Sequence, residues 1–310
     1  MRLLKPTIEY LTNQGKVRKN NEDSVWASEI IRNGVNQLSV FIIADGMGGY
    51  EGGEIASGNA VEYVIKCVKD SKFATMLDGN KQIKSFLSET VDNINRLIYK
   101  ENQIQKNKSS MGTTLTIGIQ KDDEIHLANV GDSRAYLIRG QSIEQITTDH
   151  SVAWEYLDNG VISEEEARDH SRKNELTRSV GTGATVEADI YTRQIKPNDY
   201  LVFCTDGLTN MVTDKEIRDI VLKERSVKKA GAGLIELAND RGGTDNISVI
   251  VVSYSVNGSD ELQAKGTVKL RPVKYKVKSR NKKWLTLGLG TASLVVLLIL
   301  LWYIFFFRHF

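Results

Sequence analysis

The chain has 310 residues, 26% of them charged and 41% hydrophobic, the balance of a soluble globular protein. Charge is unevenly spread: Met1–Ala264 holds 31 basic and 39 acidic residues, a formal charge of −8, whereas Lys265–Lys283 holds nine Lys or Arg and no acid. An acidic body argues against nucleic-acid binding, which depends on neutralising phosphates, and the two cysteines, Cys67 and Cys204, lack metal-type spacing and fit a reducing compartment.

No basic patch with an apolar core opens the chain, so secretion is not indicated. Leu38–Ala44 reads as a buried strand running into a turn at Asp45-Gly46, and Gly52–Val68 as a helix. Ile83, Leu87, Ile94, Leu97 and Ile98 recur at helical spacing, which predicts one long amphipathic helix over Lys81–Gln105 with its apolar stripe in the core. Strands follow at Thr113–Ile119, Ile125–Val130 and Ala135–Arg139, with turns at Gly131-Asp132 and Gly140-Gln141. Ser151–Asn174 is charged and too long for a simple connection, as lids are; a short helix at Ser163–Arg168 is capped by Ser163 with Glu166 three residues on. Tyr200–Cys204 reads as a strand ending in the acidic turn Thr205-Asp206-Gly207, with Cys204 a small core residue. Asp214–Lys223 and Val227–Asp240 read as helices, and Ile247–Tyr254 as a final strand. Strand groups separated by helix pairs suggest an α+β layered domain with a mostly antiparallel sheet. No Gly-rich nucleotide loop is present to anchor an ATPase or kinase reading.

Beyond this body, residues 256–283 form a basic juxtamembrane linker, and Trp284–Phe307 has no charged residue and exceeds the roughly 20 apolar residues that cross a bilayer. Residues 284–307 are therefore expected to be a C-terminal transmembrane helix, with 308–310 a short tail and 1–255 the folded domain. Nine basic residues before the span and only Arg308 after it favour a single-pass membrane protein whose body faces the cytoplasm, its stem against anionic membrane lipid.

Asp45-Gly46, Asp206-Gly207 and Gly243-Thr244-Asp245 stand beside predicted strands, and Gly131-Asp132 lies between two. One Asp-Gly pair is usually only a turn. Four such sites, without a His or Cys cluster, point to carboxylates that converge on divalent cations. All-oxygen ligands suit Mg²⁺ or Mn²⁺, so spacing alone leads to a metal-dependent hydrolase.

Eight segments then carry a specific resemblance. They are Arg18 with Asn21-Glu22-Asp23, Ala44-Asp45-Gly46-Met47-Gly48-Gly49, Met111-Gly112-Thr113-Thr114, Gly131-Asp132-Ser133-Arg134-Ala135-Tyr136, Asp149-His150-Ser151, Leu176-Thr177-Arg178 with Gly181, Thr205-Asp206-Gly207-Leu208, and Gly243-Thr244-Asp245-Asn246-Ile247. In this order, over most of Thr7–Tyr254, they resemble the type-2C metal-dependent protein phosphatases (the PPM family), bacterial type. The resemblance implies a layered α/β/β/α sandwich of two antiparallel sheets flanked by helix pairs. It also implies hydrolysis of phosphoserine and phosphothreonine in proteins through a metal-bridging hydroxide.

What the resemblance implies for single residues is equally definite. Asp45 bridges two Mn²⁺ or Mg²⁺ ions, with the Gly46 carbonyl on the first and Asp206 and Asp245 on the second. Glu22 holds a metal-bound water, and in similar bacterial enzymes the aspartate matching Asp132 binds a third ion together with Asp206. Arg18 grips the substrate phosphate, and Arg18, Asp45 and Asp206 form the catalytic set. Expected partners are phosphorylated proteins and a cognate, membrane-associated Ser/Thr kinase. Two features depart from the pattern: Met47 stands where eukaryotic relatives have a His, and His170-Ser171-Arg172-Lys173-Asn174 lacks the proline usual in that corner of the flap. His150, beside Asp149, reads as a hydrogen-bonded support. The rival readings are an inactive phosphatase-like scaffold that binds phosphoproteins, which predicts eroded carboxylates, and a phosphodiesterase, which the acidic body disfavours.

Overall fold

The computed structural model describes residues 4–32, 35–48, 52–70, 72–104, 110–224 and 226–256. In chain order these form β1 (Leu4–Asn13), β2 (Asp23–Arg32), β3 (Val35–Met47), α1 (Gly52–Lys69), α2 (Phe73–Met76), α3 (Asn80–Ile104), β4 (Gly112–Thr113), β5 (Leu115–Lys121), β6 (Glu124–Val130) and β7 (Arg134–Arg139). They continue as β8 (Ser142–Gln145), α4 (Val152–Asp158), α5 (Glu164–Asp169), β9 (Asp189–Gln194), β10 (Tyr200–Cys204), α6 (Asp206–Thr209), α7 (Asp214–Lys223), α8 (Val227–Asp240) and β11 (Ile247–Val256).

Two antiparallel sheets result. One runs β1-β11-β10-β7-β8, and the other runs β2-β3-β5-β6-β9 with β4 attached to β3. Period-2 alternation divides the buried strand residues among three cores. Phe41, Ile43, Leu127, Leu201, Phe203, Ile250 and Val252 meet between the sheets, where Phe41 and Phe203 stack with ring centroids 5.4 Å apart. Their neighbours Val40, Ile42 and Ala44 face outward onto α1 and α3. On the far side Val202, Cys204, Val249 and Val251 pack beneath Ile217 and Val221 of α7 and Ala230 and Leu234 of α8. Helix pair, sheet, sheet, helix pair is the architecture.

Most predicted elements appear within a residue or two of their expected limits. Ser163 and Glu166 make both halves of the capping box on α5. Five points bear on the expectations, the first two with a physical reason for a weak signal. First, β1 carries Pro6, which cannot donate to a ladder and is tolerated because β1 is an edge strand. Second, β2 and β9 are also edges, half-exposed and mixed in polarity, so their alternation is weak. Third, Asp45-Gly46 is not a turn: β3 continues to Met47, where Gly46 pairs with Thr113 and Met47 with Gly112. Fourth, the expected acidic turn at Thr205-Asp206-Gly207 instead opens the short helix α6. Fifth, Leu97 is 41% exposed and leaves the α3 stripe, whereas Ile83, Leu87, Ile94 and Ile98 are buried.

The expected linker (apart from Val256), transmembrane helix 284–307 and tail 308–310 lie outside the described residues. Among the described residues no helix is long and apolar enough to cross a membrane.

Candidate metal and phosphate site

Strand register brings the carboxylates together. Asp23 opens β2 directly opposite Asp45 in β3. Asp206 follows β10 and Asp245 precedes β11, and β10 pairs with β11, so both sheets offer acids at the same end. Asp132 sits in the turn between β6 and β7. The acids repel one another. Burial, then Asp23, Asp206, Asp132 and Asp245, hold the Asp45 carboxyl well above the usual range. Burial and Asp206 do the same to Asp132. Burial and Asp245 push Asp206 up to about 6, and burial pushes Asp23 up to about 7. Asp45 and Asp206 nevertheless keep part of their surface open.

Neutral donors hold the acids in place. Thr205 Oγ1 (2.9 Å) and Ser248 Oγ (2.7 Å) both donate to Asp23 Oδ2, joining the first sheet to the second. Asn210 Nδ2 donates to Asp206 Oδ2 at 3.0 Å, and the Asp45 N–H donates to Thr114 Oγ1 at 2.9 Å. After this, Asp206 Oδ1 and Asp23 Oδ1 are buried without a partner, a costly state for a carboxylate oxygen. Gly46 has no room for a side chain: a Cβ there would collide with the backbone of Gly53 and Glu22.

These residues fit a hard divalent cation. The donors are oxygens only, they repel one another, and one oxygen of Asp206 lacks a partner. Among the described residues no three acids close on a single point. A Mg²⁺-like ion, however, keeps several waters and takes only one or two carboxylates. Asp45, Asp206, Asp245, Asp132 and the Gly46 carbonyl are the groups that could hold such ions.

Arg18 and Glu22 lie in the loop between β1 and β2. Arg18 Nη2 donates to Asp245 Oδ2 at 2.6 Å, its side chain 53% exposed, so the expected phosphate ligand and the expected metal ligand are joined. One of five guanidinium N–H donors is spent there, leaving others free to take a phosphate. The carboxylate of half-buried Glu22 lies against Gly53 in the first turn of α1, and burial raises its pKa.

Beyond Asp132 a cleft of about 240 Å³ runs between Asp206, Asn210 and the Ser151–Asn174 segment, where α4 and α5 form the expected flap. Arg134, its side chain 16% exposed, forms its floor; it grips buried Asp149 at 2.7 Å and lies 5.7 Å from the Trp154 ring centre. His150 is a support, as expected: the Gly131 N–H donates to Nδ1 at 3.1 Å, so Nε2 carries the proton and donates to Asp189 Oδ2 at 3.1 Å. With both nitrogens engaged, and its pKa lowered by burial, His150 braces the turn that carries Asp132. Sequence reasoning gave no role to Arg134, Asn246, Thr205 or Ser248. Arg134, Asn246 and Thr205 stand inside the matched segments, which was the available signal, whereas Ser248 lies one residue beyond the last of them.

The chain matches the family model described as Protein phosphatase 2C over residues 17–246. It is 38% identical to the serine/threonine phosphatase stp of Listeria welshimeri over 250 residues, 80% of this chain and 96% of the relative. It is 36% identical to the protein phosphatase PhpP of Streptococcus pneumoniae over 250 residues, 80% and 97% of the two chains. The S. agalactiae serine/threonine phosphatase superposes with a TM-score of 0.73 at 35% identity, covering 80% of this chain and 99% of that one. The catalytic domain of the phosphatase PstP, solved in complex with 2 manganese ions, gives 0.69 at 30% identity, covering 82% and 99%.

Proposed function

Because the chain belongs to the protein phosphatase 2C family, we propose that it is a protein serine/threonine phosphatase whose carboxylate cluster works with Mn²⁺ or Mg²⁺. The observation that carries this reading is the crowding of acids at one end of both sheets, with Asp206 Oδ1 buried and outside hydrogen-bond geometry and its carboxyl pushed up to about 6 by burial and Asp245. Asp45, the Gly46 carbonyl, Asp206 and Asp245 would hold two ions, with Glu22 beside them, and Asp132 with Asp206 a third. Such ions, when bound, make water nucleophilic at neutral pH and neutralise phosphate charge.

The protein's own contribution is positional. Arg18 binds the phosphate oxygens of phosphoserine or phosphothreonine with the donors that Asp245 leaves free. Thr205, Ser248 and Asn210 fix the acids, and His150 fixes the turn of Asp132. Cys67 is half-exposed and Cys204 buried, with burial raising both thiols, so neither suits a covalent phosphoenzyme route.

We infer further that residues 1–255 act as the catalytic domain of a single-pass membrane protein. The linker 256–283 and helix 284–307 would hold the domain at the cytoplasmic face, opposite a membrane-associated Ser/Thr kinase. Sequence supports this part: nine basic residues stand before an uncharged apolar stretch. The inactive-scaffold reading loses ground because Asp45, Asp206 and Asp245 are all retained. Phosphate release from a phosphothreonine peptide, set beside a phosphodiester, tests the assignment. Peptide turnover with Mn²⁺ is expected, and preference for the diester would overturn it.

A further inference from the structure

We propose that Asn246 is a positioning residue whose buried carboxamide holds the loop bearing Arg18 and Glu22, and thereby sets where the phosphate is gripped. The inference rests on the reading of Arg18 as the phosphate ligand. Asn246 is 5% exposed. Glu22 N–H donates to its Oδ1 at 2.8 Å, and its Nδ2 donates to the carbonyls of Gln14 and Asn20, each at 2.9 Å. The partners permit one orientation of the amide, since an N–H needs an acceptor and two carbonyls need donors.

Gln14 and Glu22 are the first and last residues between β1 and β2. One side chain therefore ties both ends of the loop, and Asn20 as well. Within the loop, Gln14 Nε2 donates to the Arg18 carbonyl at 2.7 Å, and Lys16 N–H donates to the Gly243 carbonyl at 2.7 Å. Apart from its one bond to Asp245 the Arg18 side chain is exposed, so its reach depends on where the loop backbone is held. Asn246 also touches the acids: its N–H donates to Asp245 Oδ1 at 2.8 Å, and its carbonyl lies where a Cβ on Gly207 would be. The Asn246 side chain thus holds Glu22 directly and Arg18 through Gln14, while the Asn246 backbone meets Asp245 and the residue after Asp206.

The test uses the full chain with Mn²⁺. Inhibition of p-nitrophenyl phosphate hydrolysis by inorganic phosphate is measured for wild type, Asn246→Ala, Arg18→Ala and the double variant. Amide hydrogen exchange over residues 13–22 is followed in parallel, as a readout independent of turnover. Asn246→Ala should weaken phosphate about fivefold, which is about 1 kcal/mol. The same change in the Arg18→Ala background should do little, because no guanidinium is left to misplace. Exchange at the Lys16 and Glu22 amides should rise in Asn246→Ala. Asn246→Asp keeps the size but sets a carboxylate against two carbonyls, and should be at least as impaired. Gln14→Ala, in an exposed position, should give a smaller loss in the same direction even if the Asn246 variants fail to fold. Additive effects in the double variant, or wild-type exchange across the loop in Asn246→Ala, would overturn the proposal. Unchanged phosphate inhibition in Arg18→Ala would instead overturn the role given to Arg18.

Discussion

Replacing Asp206 by Asn should stabilise the metal-free protein. The Asp206 carboxyl is raised from the ordinary 3.8 to about 6, first by burial and then by Asp245. A raised carboxylate pKa means that the folded state holds its proton more tightly than the unfolded one. That stability is fully present below 3.8 and is lost as pH climbs through about 6. By pH 8 the loss amounts to about 3 kcal/mol. Asn has the same shape, carries no charge, and still offers an acceptor to Asn210. Relief of this size corresponds to roughly 6–12 °C in melting temperature for a domain of this length. The assay is thermal unfolding of the full chain and Asp206→Asn with chelator, at pH 8 and pH 5. The variant should melt higher at pH 8, the gap should shrink by roughly half at pH 5, and excess Mn²⁺ should raise wild type far more than the variant. An equal or lower melting temperature for Asp206→Asn at pH 8, or a gap that widens toward pH 5, would refute the picture of a repelled, cation-seeking carboxylate.

Arg18→Ala should weaken competitive inhibition by phosphate about tenfold, the low end for a charged hydrogen bond, because the side chain is 53% exposed; an unaltered inhibition constant would count against the assignment. Arg134→Met leaves the Asp149 carboxylate, 7% exposed, without its cation, and should cost about 3–5 kcal/mol in urea unfolding with Mn²⁺ present. Wild-type stability there would show that Asp149 needs no ion pair. Protease added to intact spheroplasts should leave the catalytic domain uncut, and a truncation after Ala264 should be soluble with unchanged peptide activity. Digestion from outside would reverse the topology, and a large gain in activity on truncation would indicate a restraining stem.

What could be read from the sequence followed the strength of the local signal. The middle of β3 and most of β10 and β11 are apolar runs buried on both faces, so their cores and the acids beside them stood out, although β3 runs three residues further at each end than its apolar run. β1 and β2 are edge strands, one with Pro6 and both half-exposed, and no local pattern separates them from loops. The Asp-Gly signal picked out acids that the fold does bring to one end of both sheets, but by partly wrong geometry, since Asp45 lies within a strand and Asp206 begins a helix. Relations across the chain were beyond reach. Arg18 meets Asp245 across 227 positions, Asn246 meets Glu22 across 224, and Ser248 reaches Asp23 across 225. Each depends on β10 and β11 of one sheet closing over β2 and β3 of the other. No residue pattern near Asn246 announces that its amide is reserved for three backbone groups in a distant loop.

The most direct measurement is phosphate release from a phosphothreonine peptide by the exhaustively chelated protein, before and after Mn²⁺ is restored, for wild type and Asp45→Ala. Turnover should be absent in chelator and return with Mn²⁺ in wild type. It should remain lower by roughly three orders of magnitude in Asp45→Ala. Robust turnover without metal, or near-normal turnover by Asp45→Ala, would contradict a metal-dependent phosphatase built on this cluster.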